Sequence, residues 1–362
     1  MAKDILDAIY GCLIGGAVGD ALGAPTEGMY YWEIKEKYGR LEVFLPNKTY
    51  YTNGKPGSIT DDSTLRHYMC YAIVKKGGRI TPDDFAEVWR TKLNPKRLWA
   101  SETIVYERIK WGINPWEAGH GCIPAGCASM CIAPIGIINA GNPEQAYQDG
   151  YCIARVNQEG DNVDFAATLA AAVSVAFIPG STVDDVINAM YRYSSDIVKR
   201  GLDLSLDLAR KSSNIDEYAQ KFYDKMLDWT WPMPYGHWNK DRYFCGHSRE
   251  FVPVVPALLY LTKGDVNEGI IAGANFGRDC DTIASIVGNI AGAMQGASAI
   301  RKHWIDECEK ANEDLFEELE GDKNANFYSM ACRMVEALKN EIKAAEERAE
   351  ALKRLIAHKE NK

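Results

Sequence analysis

The chain has 362 residues, 46% of them hydrophobic and 25% charged, with a formal net charge of −9. At this length roughly three quarters of the unfolded surface can be buried, so a large core needs no covalent or metal staple. The composition excludes disordered, collagen-like and mucin-like classes. The acidic excess argues against a general nucleic-acid or anionic-membrane binder, which needs clustered Lys and Arg.

Helical periodicity begins at once. Ile5, Ile9, Leu13 and Ala17 recur every four residues, as one buried helix face does. The same stretch carries Gly11, Gly15, Gly16 and Gly19. Glycine costs about 1 kcal/mol in a helix interior, so this density implies close backbone packing. Further helices are expected over 62–76, 82–92, 101–111, 126–140, 143–155, 162–177, 182–197, 202–211, 215–228, 249–262, 265–275, 282–303 and 305–318. Thr81-Pro82 and Asn142-Pro143 each place a capping side chain before a proline at the first helical position, and Ser181-Thr182 opens another helix. Strand signals are poor, no β-α alternation occurs, and no repeat of solenoid length is found.

Two segments depart from this pattern. Residues 229–248 are crowded with aromatics, Pro and Gly and read as a long ordered loop, a length often tied to function. From about residue 328, Val335, Leu338, Ile342, Ala345, Ala349, Leu352 and Ile356 follow a seven-residue a/d spacing amid Glu, Lys and Arg. Two arrangements fit: a terminal helix packed on its own body, or a coil that joins two chains as a homodimer.

The N-terminus runs into helical pattern without the apolar core of a signal peptide. Cys12, Cys70 and Cys332, among the ten cysteines, sit in apolar periodic stretches, where a thiol behaves as a small hydrophobe. The apolar run from Phe165 to Ile178 is too short to span a bilayer, and the one after Thr282 carries Asn289 and Gln295. The expectation is a soluble, cytoplasmic protein, in which the sequon at Asn47 carries little meaning.

Chemistry is suggested by two acidic clusters. Ser58-Ile59-Thr60-Asp61-Asp62-Ser63 precedes one helical run, and Gly277-Arg278-Asp279-Cys280-Asp281-Thr282 precedes another. Either alone reads as a helix cap, since Asp, Ser and Thr are preferred there and acids suit the helix dipole. One cap needs one side chain, however, and each start crowds two carboxylates and a hydroxyl. Like charges at the mouth of an apolar helix are costly unless neutralised, and a hard divalent cation such as Mg²⁺ would do so. Asp20 and Glu27 end the glycine-rich first helix and extend the acidic set. Neither His237, Cys245 and His247 nor Cys122, Cys127 and Cys131 has a recognised zinc-ligand spacing.

GCLIGGAVGDALGAPTEG, then SITDDS, then GRDCDTIASIVGNIAGAMQG, in this order, resemble the ADP-ribosylglycohydrolase family from about residue 5 to 303. The resemblance implies an all-α orthogonal multi-helix bundle with a catalytic domain over 1–304 and a C-terminal helical extension over 305–362. It implies a binuclear Mg²⁺ centre, with Mn²⁺ as the alternative ion, and a hydrolase that frees ADP-ribose from an acceptor. Thr60, Asp61 and Asp62 match the first metal-binding motif, and Asp279, Asp281 and Thr282 match the second. Glu27 matches an acidic residue that approaches the reacting centre in some members, so Glu27, Asp62 and Asp281 form the implied catalytic set. Asp20 matches a supporting aspartate behind the metal ligands.

Gly126, Ala128, Ser129 and Met130 resemble the family's loop near the ADP-ribose phosphates. Cys131 stands where Arg is usual, and Asn157-Gln158 replace a common Thr-His pair. These departures keep open a different riboside, such as a nucleoside or small ribosylated metabolite, and a non-catalytic ADP-ribose-binding relative. Tyr235 and Trp238, within the aromatic segment, could stack on a base or form a packed lid. The implied partner is a small ADP-ribose-type or riboside substrate, free or on a modified protein, with no nucleic acid or membrane.

Overall fold

The computed structural model describes residues 4–47, 52–230 and 246–360. Among these residues the chain folds into eighteen α-helices and no strand. Helix α1 (Ile5–Gly23) starts where the Asp4 carboxylate accepts the N–H groups of Leu6 and Asp7. Helix α2 (Tyr31–Tyr38) is absent from the sequence expectation. Only Ile34 of its eight residues is buried, too little to show a period. Helix α3 (Asp61–Lys76) ends at Gly77 in the left-handed region, and α4 (Pro82–Lys92) opens on the Thr81–Asp84 capping box.

Helix α5 (Ala100–Lys110) precedes two short helices, α6 (Cys127–Cys131) and α7 (Ala133–Ile138). The expected single helix over 126–140 is therefore divided. Pro134 lacks the N–H that would bond the carbonyl one turn back and its ring crowds that carbonyl. Helices α8 (Pro143–Ala154), α9 (Asp161–Ala176), α10 (Val183–Arg192), α11 (Asp196–Arg210) and α12 (Ile215–Thr230) follow. The expected 182–197 helix stops at Arg192, and Ser195 in extended geometry starts the next one earlier than expected.

The last group is α13 (Ser248–Leu261), α14 (Val266–Phe276), α15 (Cys280–Gln295), α16 (Lys302–Ala311), α17 (Glu313–Glu320) and α18 (Phe327–Glu360). The expected 282–303 helix ends at Gln295 because Gly296 takes a φ of +88°. The expected 305–318 helix breaks at Asn312, whose side chain accepts from the Ile59 N–H and donates to the Gly57 carbonyl.

Glycine spacing assembles the centre of the molecule. A methyl group on Gly11 would lie 2.4 Å from the Gly292 carbonyl oxygen, one on Gly15 2.5 Å from that of Gly288, and one on Gly19 2.2 Å from that of Ala284. The pairing advances by four residues on α1 as it retreats by four on α15, so the two helices are antiparallel with backbones touching. Helix α1 with its short extension, Ile5–Thr26, is long and apolar enough to cross a membrane by length and composition alone. In the fold, 78% of its most apolar window is buried, because α15, α14 and α18 enclose it. The antiparallel pairing brings the C-terminal end of α1 to the N-terminal end of α15.

Helix α18 has two halves. Phe327, Met330, Ala331, Met334 and Ala337 are buried against the body, and Glu341 accepts a hydrogen bond from the Arg79 N–H at 2.7 Å. From Ile342 to Ile356 every residue is exposed.

Candidate metal centre and active site

Three helix ends meet at one place: the end of α1 and the starts of α3 and α15. At α3 the cap is Thr60, whose hydroxyl accepts the Asp62 N–H at 3.2 Å. Asp20, fully buried, accepts the Thr60 N–H at 3.1 Å and the Ser63 N–H at 3.0 Å. Its carboxylate thus braces the turn from behind. At α15, Asp279 occupies the cap position but makes no side-chain cap bond, and Asp281 accepts the Thr282 N–H at 2.9 Å. Capping therefore does not account for Asp61, Asp62 or Asp279.

Glu27, Asp61, Asp62, Asp279, Asp281 and Thr282 line one cleft with about 520 Å³ of empty space. Carboxylate oxygens of Glu27, Asp279 and Asp281 lie within 4.8 Å of one another. Thr60 stays beneath the cleft in its capping role. Burial pushes the carboxyls of Asp61, Asp62 and Asp281 well above the ordinary range, and Asp279 up to about 8. Neighbouring carboxylates add to this: Glu102 and Asp62 act on Asp61, Asp20 and Asp279 on Asp62, and Glu27 on both Asp279 and Asp281. Asp62 Oδ2 is buried with no hydrogen-bond partner.

Such a cluster requires neutralisation by protons or by a cation. Part of it comes from Arg66, buried beneath the acids, which donates to Ser285 Oγ at 2.8 Å, Asn289 Oδ1 at 2.5 Å and Ser63 Oγ. The donor set that Glu27 and the two acidic turns present to the cleft is all oxygen and mostly carboxylate, which fits Mg²⁺ or Mn²⁺ rather than a soft ion.

The loop carrying Glu27 is clamped to the second acidic turn. The Gly28 N–H donates to the Arg278 carbonyl at 2.8 Å, and the Arg278 N–H to the Met29 carbonyl at 2.6 Å. Arg278 holds a left-handed φ of +62°, which non-glycine residues rarely adopt. Its guanidinium is fixed by both oxygens of buried Glu250, at 2.7 and 2.8 Å.

The same cleft is also lined by Trp99, Glu102, Gly126, Cys127, Met130 and Gly246. Sequence reasoning missed Glu102. One acid in the first turn of α5 looks like an ordinary complement to the helix dipole, yet it is 1% exposed, with the Cys127 thiol as its side-chain neighbour and no basic group among the described residues paired with it. Burial raises its pKa.

Gly126 and Met130 face the cleft, whereas Ala128 and Ser129 lie outside its wall. Ser129 Oγ is 3.0 Å from Ser248 Oγ in the core. The Cys131 thiol is buried and donates to the Cys127 carbonyl at 3.3 Å, within its own helix. Asn157 donates to that same carbonyl at 3.1 Å, and Gln158 accepts the Ala125 N–H at 3.2 Å, so this pair braces the loop. His247 caps α13 by accepting the Arg249 N–H. Tyr235 and Trp238, with Trp231, His237, Tyr243, Phe244 and Cys245, lie outside the described residues.

The family model described as ADP-ribosylglycohydrolase matches residues 1–346. An uncharacterized protein of Archaeoglobus fulgidus is 28% identical over 300 residues, covering 82% of this chain and 89% of that protein. The uncharacterized protein YegU of Escherichia coli is 24% identical over 344 residues, covering 88% of this chain and 95% of the relative. A solved structure titled ADP-ribosylglycohydrolase-related protein complex superposes with a TM-score of 0.63 at 21% identity, over 92% of this chain and 98% of that one. That last likeness bears on the fold.

Proposed function

The chain belongs to the ADP-ribosylglycohydrolase family, and from that premise we propose that it is a Mg²⁺-dependent hydrolase of a ribosyl glycosidic bond that releases ADP-ribose from an acceptor. The observation that carries this reading is the single cleft lined by both acidic turns and Glu27. Asp61, Asp62, Asp279, Asp281 and Thr282 are the residues that would hold two divalent ions, with Thr60 and Asp20 fixing the first turn. Bound there, the ions would supply Lewis-acid polarisation of ribose hydroxyls and a more acidic water.

The protein's own groups supply proton transfer and orientation. Glu27, on the exposed rim of the acidic cluster, takes the proton of the water that attacks the anomeric carbon. Glu102, in the same cleft and favoured in its protonated form by burial, gives its proton to the departing nitrogen or oxygen. General acid–base help of this kind contributes roughly 10²–10⁴-fold. Asp62 and Asp281 hold the ribose-facing side of the site in a fixed geometry.

A second reading, a hydrolase of a riboside without a diphosphate, is favoured by one observation. Cys131, at the position where the family carries Arg, is turned into its own helix and offers no contact to a phosphate. Product analysis with ADP-ribosyl-arginine, ADP-ribosyl-serine and nucleosides separates the two readings. For either, Asp62→Ala, Asp281→Ala and chelation are expected to remove turnover while circular dichroism stays helical. Full activity of a metal-stripped Asp281→Ala variant would overturn both.

A further inference from the structure

We propose that the free half of α18 is the docking surface for a second copy of this chain, joined as an antiparallel two-helix coil. Residues 342–360 continue α18 past the body for about 28 Å, at 1.5 Å per residue. Residues 342–356 are all exposed, so this half lacks the tertiary packing that supplies most helix stability in proteins. Its stripe is also apolar: Ile342, Leu352 and Ile356 are 61%, 50% and 63% exposed. Such a stripe at a/d spacing, amid charged flanks, is what another helix covers.

Three observations select a second copy and its direction. First, the stripe runs along the same side of α18 that the body covers as far as Leu338, which packs against the core. A parallel partner would have to bring its own body into that covered stretch. An antiparallel pair places the two bodies at opposite ends of the overlap. Second, antiparallel reversal sets large residues of the stripe against its small ones. With the overlap centred between residues 350 and 351, Leu352 of one copy faces Ala349 of the other, and Ile356 faces Ala345. Third, the flanking charges agree. The same register sets Glu346 of one copy against Lys353 of the other, twice by symmetry. Parallel pairing would instead set Glu341 against Glu346 and Arg348 against Lys353, like against like.

The test uses the full chain and sedimentation velocity over about 1–100 μM, with Glu346→Lys, Lys353→Glu and the double swap. The expected result is a concentration-dependent dimer that each single reversal weakens roughly three- to tenfold and the double swap restores. A parallel coil responds with the opposite sign, since Glu346→Lys then faces Glu341 and tightens the dimer. Leu352→Asp, at an exposed helix position clear of the body, is expected to abolish the dimer without changing thermal stability of the body. A chain that stays monomeric at every concentration, or a dimer indifferent to Leu352→Asp and to the charge reversals, overturns the proposal.

Discussion

At the scale of single residues, burial separates side chains that look alike in the sequence. Thr60 and Asp20 serve the backbone of the α3 turn, whereas Asp62 keeps an oxygen with no partner. The surplus of acids over caps was legible in the sequence because only one side chain is needed per helix start. Glu102 was not legible, because one first-turn acid is the commonest arrangement at a helix N-terminus. Only its position inside the cleft distinguishes it. Glu102→Gln keeps the shape and relieves a buried carboxyl of its ionisable character, so the melting temperature is expected to hold or rise. If Glu102 is the proton donor, kcat/KM falls about a hundredfold. Activity of the parent falls as pH rises through the raised pKa of this acid, and that alkaline limb disappears in Glu102→Gln. A pH–rate profile of both proteins checks this.

Among the helices, the α1–α15 contact governs the site. Periodicity and glycine density in α1 pointed to close packing, but they could not name the helix it packs against. Gly288 and Gly292 on α15 face Gly15 and Gly11, and this ladder fixes how far Asp20 and Glu27 lie from Asp279 and Asp281. Gly15→Ala gains about 1 kcal/mol of helix propensity, yet its methyl would sit 2.5 Å from the Gly288 carbonyl oxygen. Backbone has no rotamer with which to yield, and overpacking of this kind costs about 1–3 kcal/mol or more. Chemical denaturation is expected to show a net loss of about 2 kcal/mol, together with weaker Mg²⁺ binding as the two turns move apart. Boundaries misread from periodicity share one cause. At Pro134, Gly296 and Asn312 the apolar period continues through a residue whose backbone or side chain ends the helix.

For the molecule as a whole, the acidic cleft links stability to pH and to cations. The unfolded aspartates ionise near pH 4, while in the fold burial keeps them protonated longer, Asp279 to about 8. The stabilising contribution of Asp279 in the metal-free state is therefore complete below about pH 4 and is lost as pH rises through about 8. A divalent cation held only by the folded protein reverses this, and its effect grows as competing protons leave. Thermal unfolding at pH 5 and pH 8, with EDTA or with Mg²⁺, is expected to show a larger Mg²⁺-induced rise at pH 8. Equal rises at both pH values would show that these carboxylates are not the cation's ligands.

The all-helical architecture, the close-packed first helix and the two over-furnished helix starts follow from the sequence itself, because period, glycine density and capping chemistry are local properties. The meeting of those starts in one cleft was decided by the tertiary structure, as were the arrival of Glu102 from α5 and the bare second half of α18. Each depends on which surfaces touch across long stretches of chain. Local spacing places a side chain on a face, and only packing determines what that face meets.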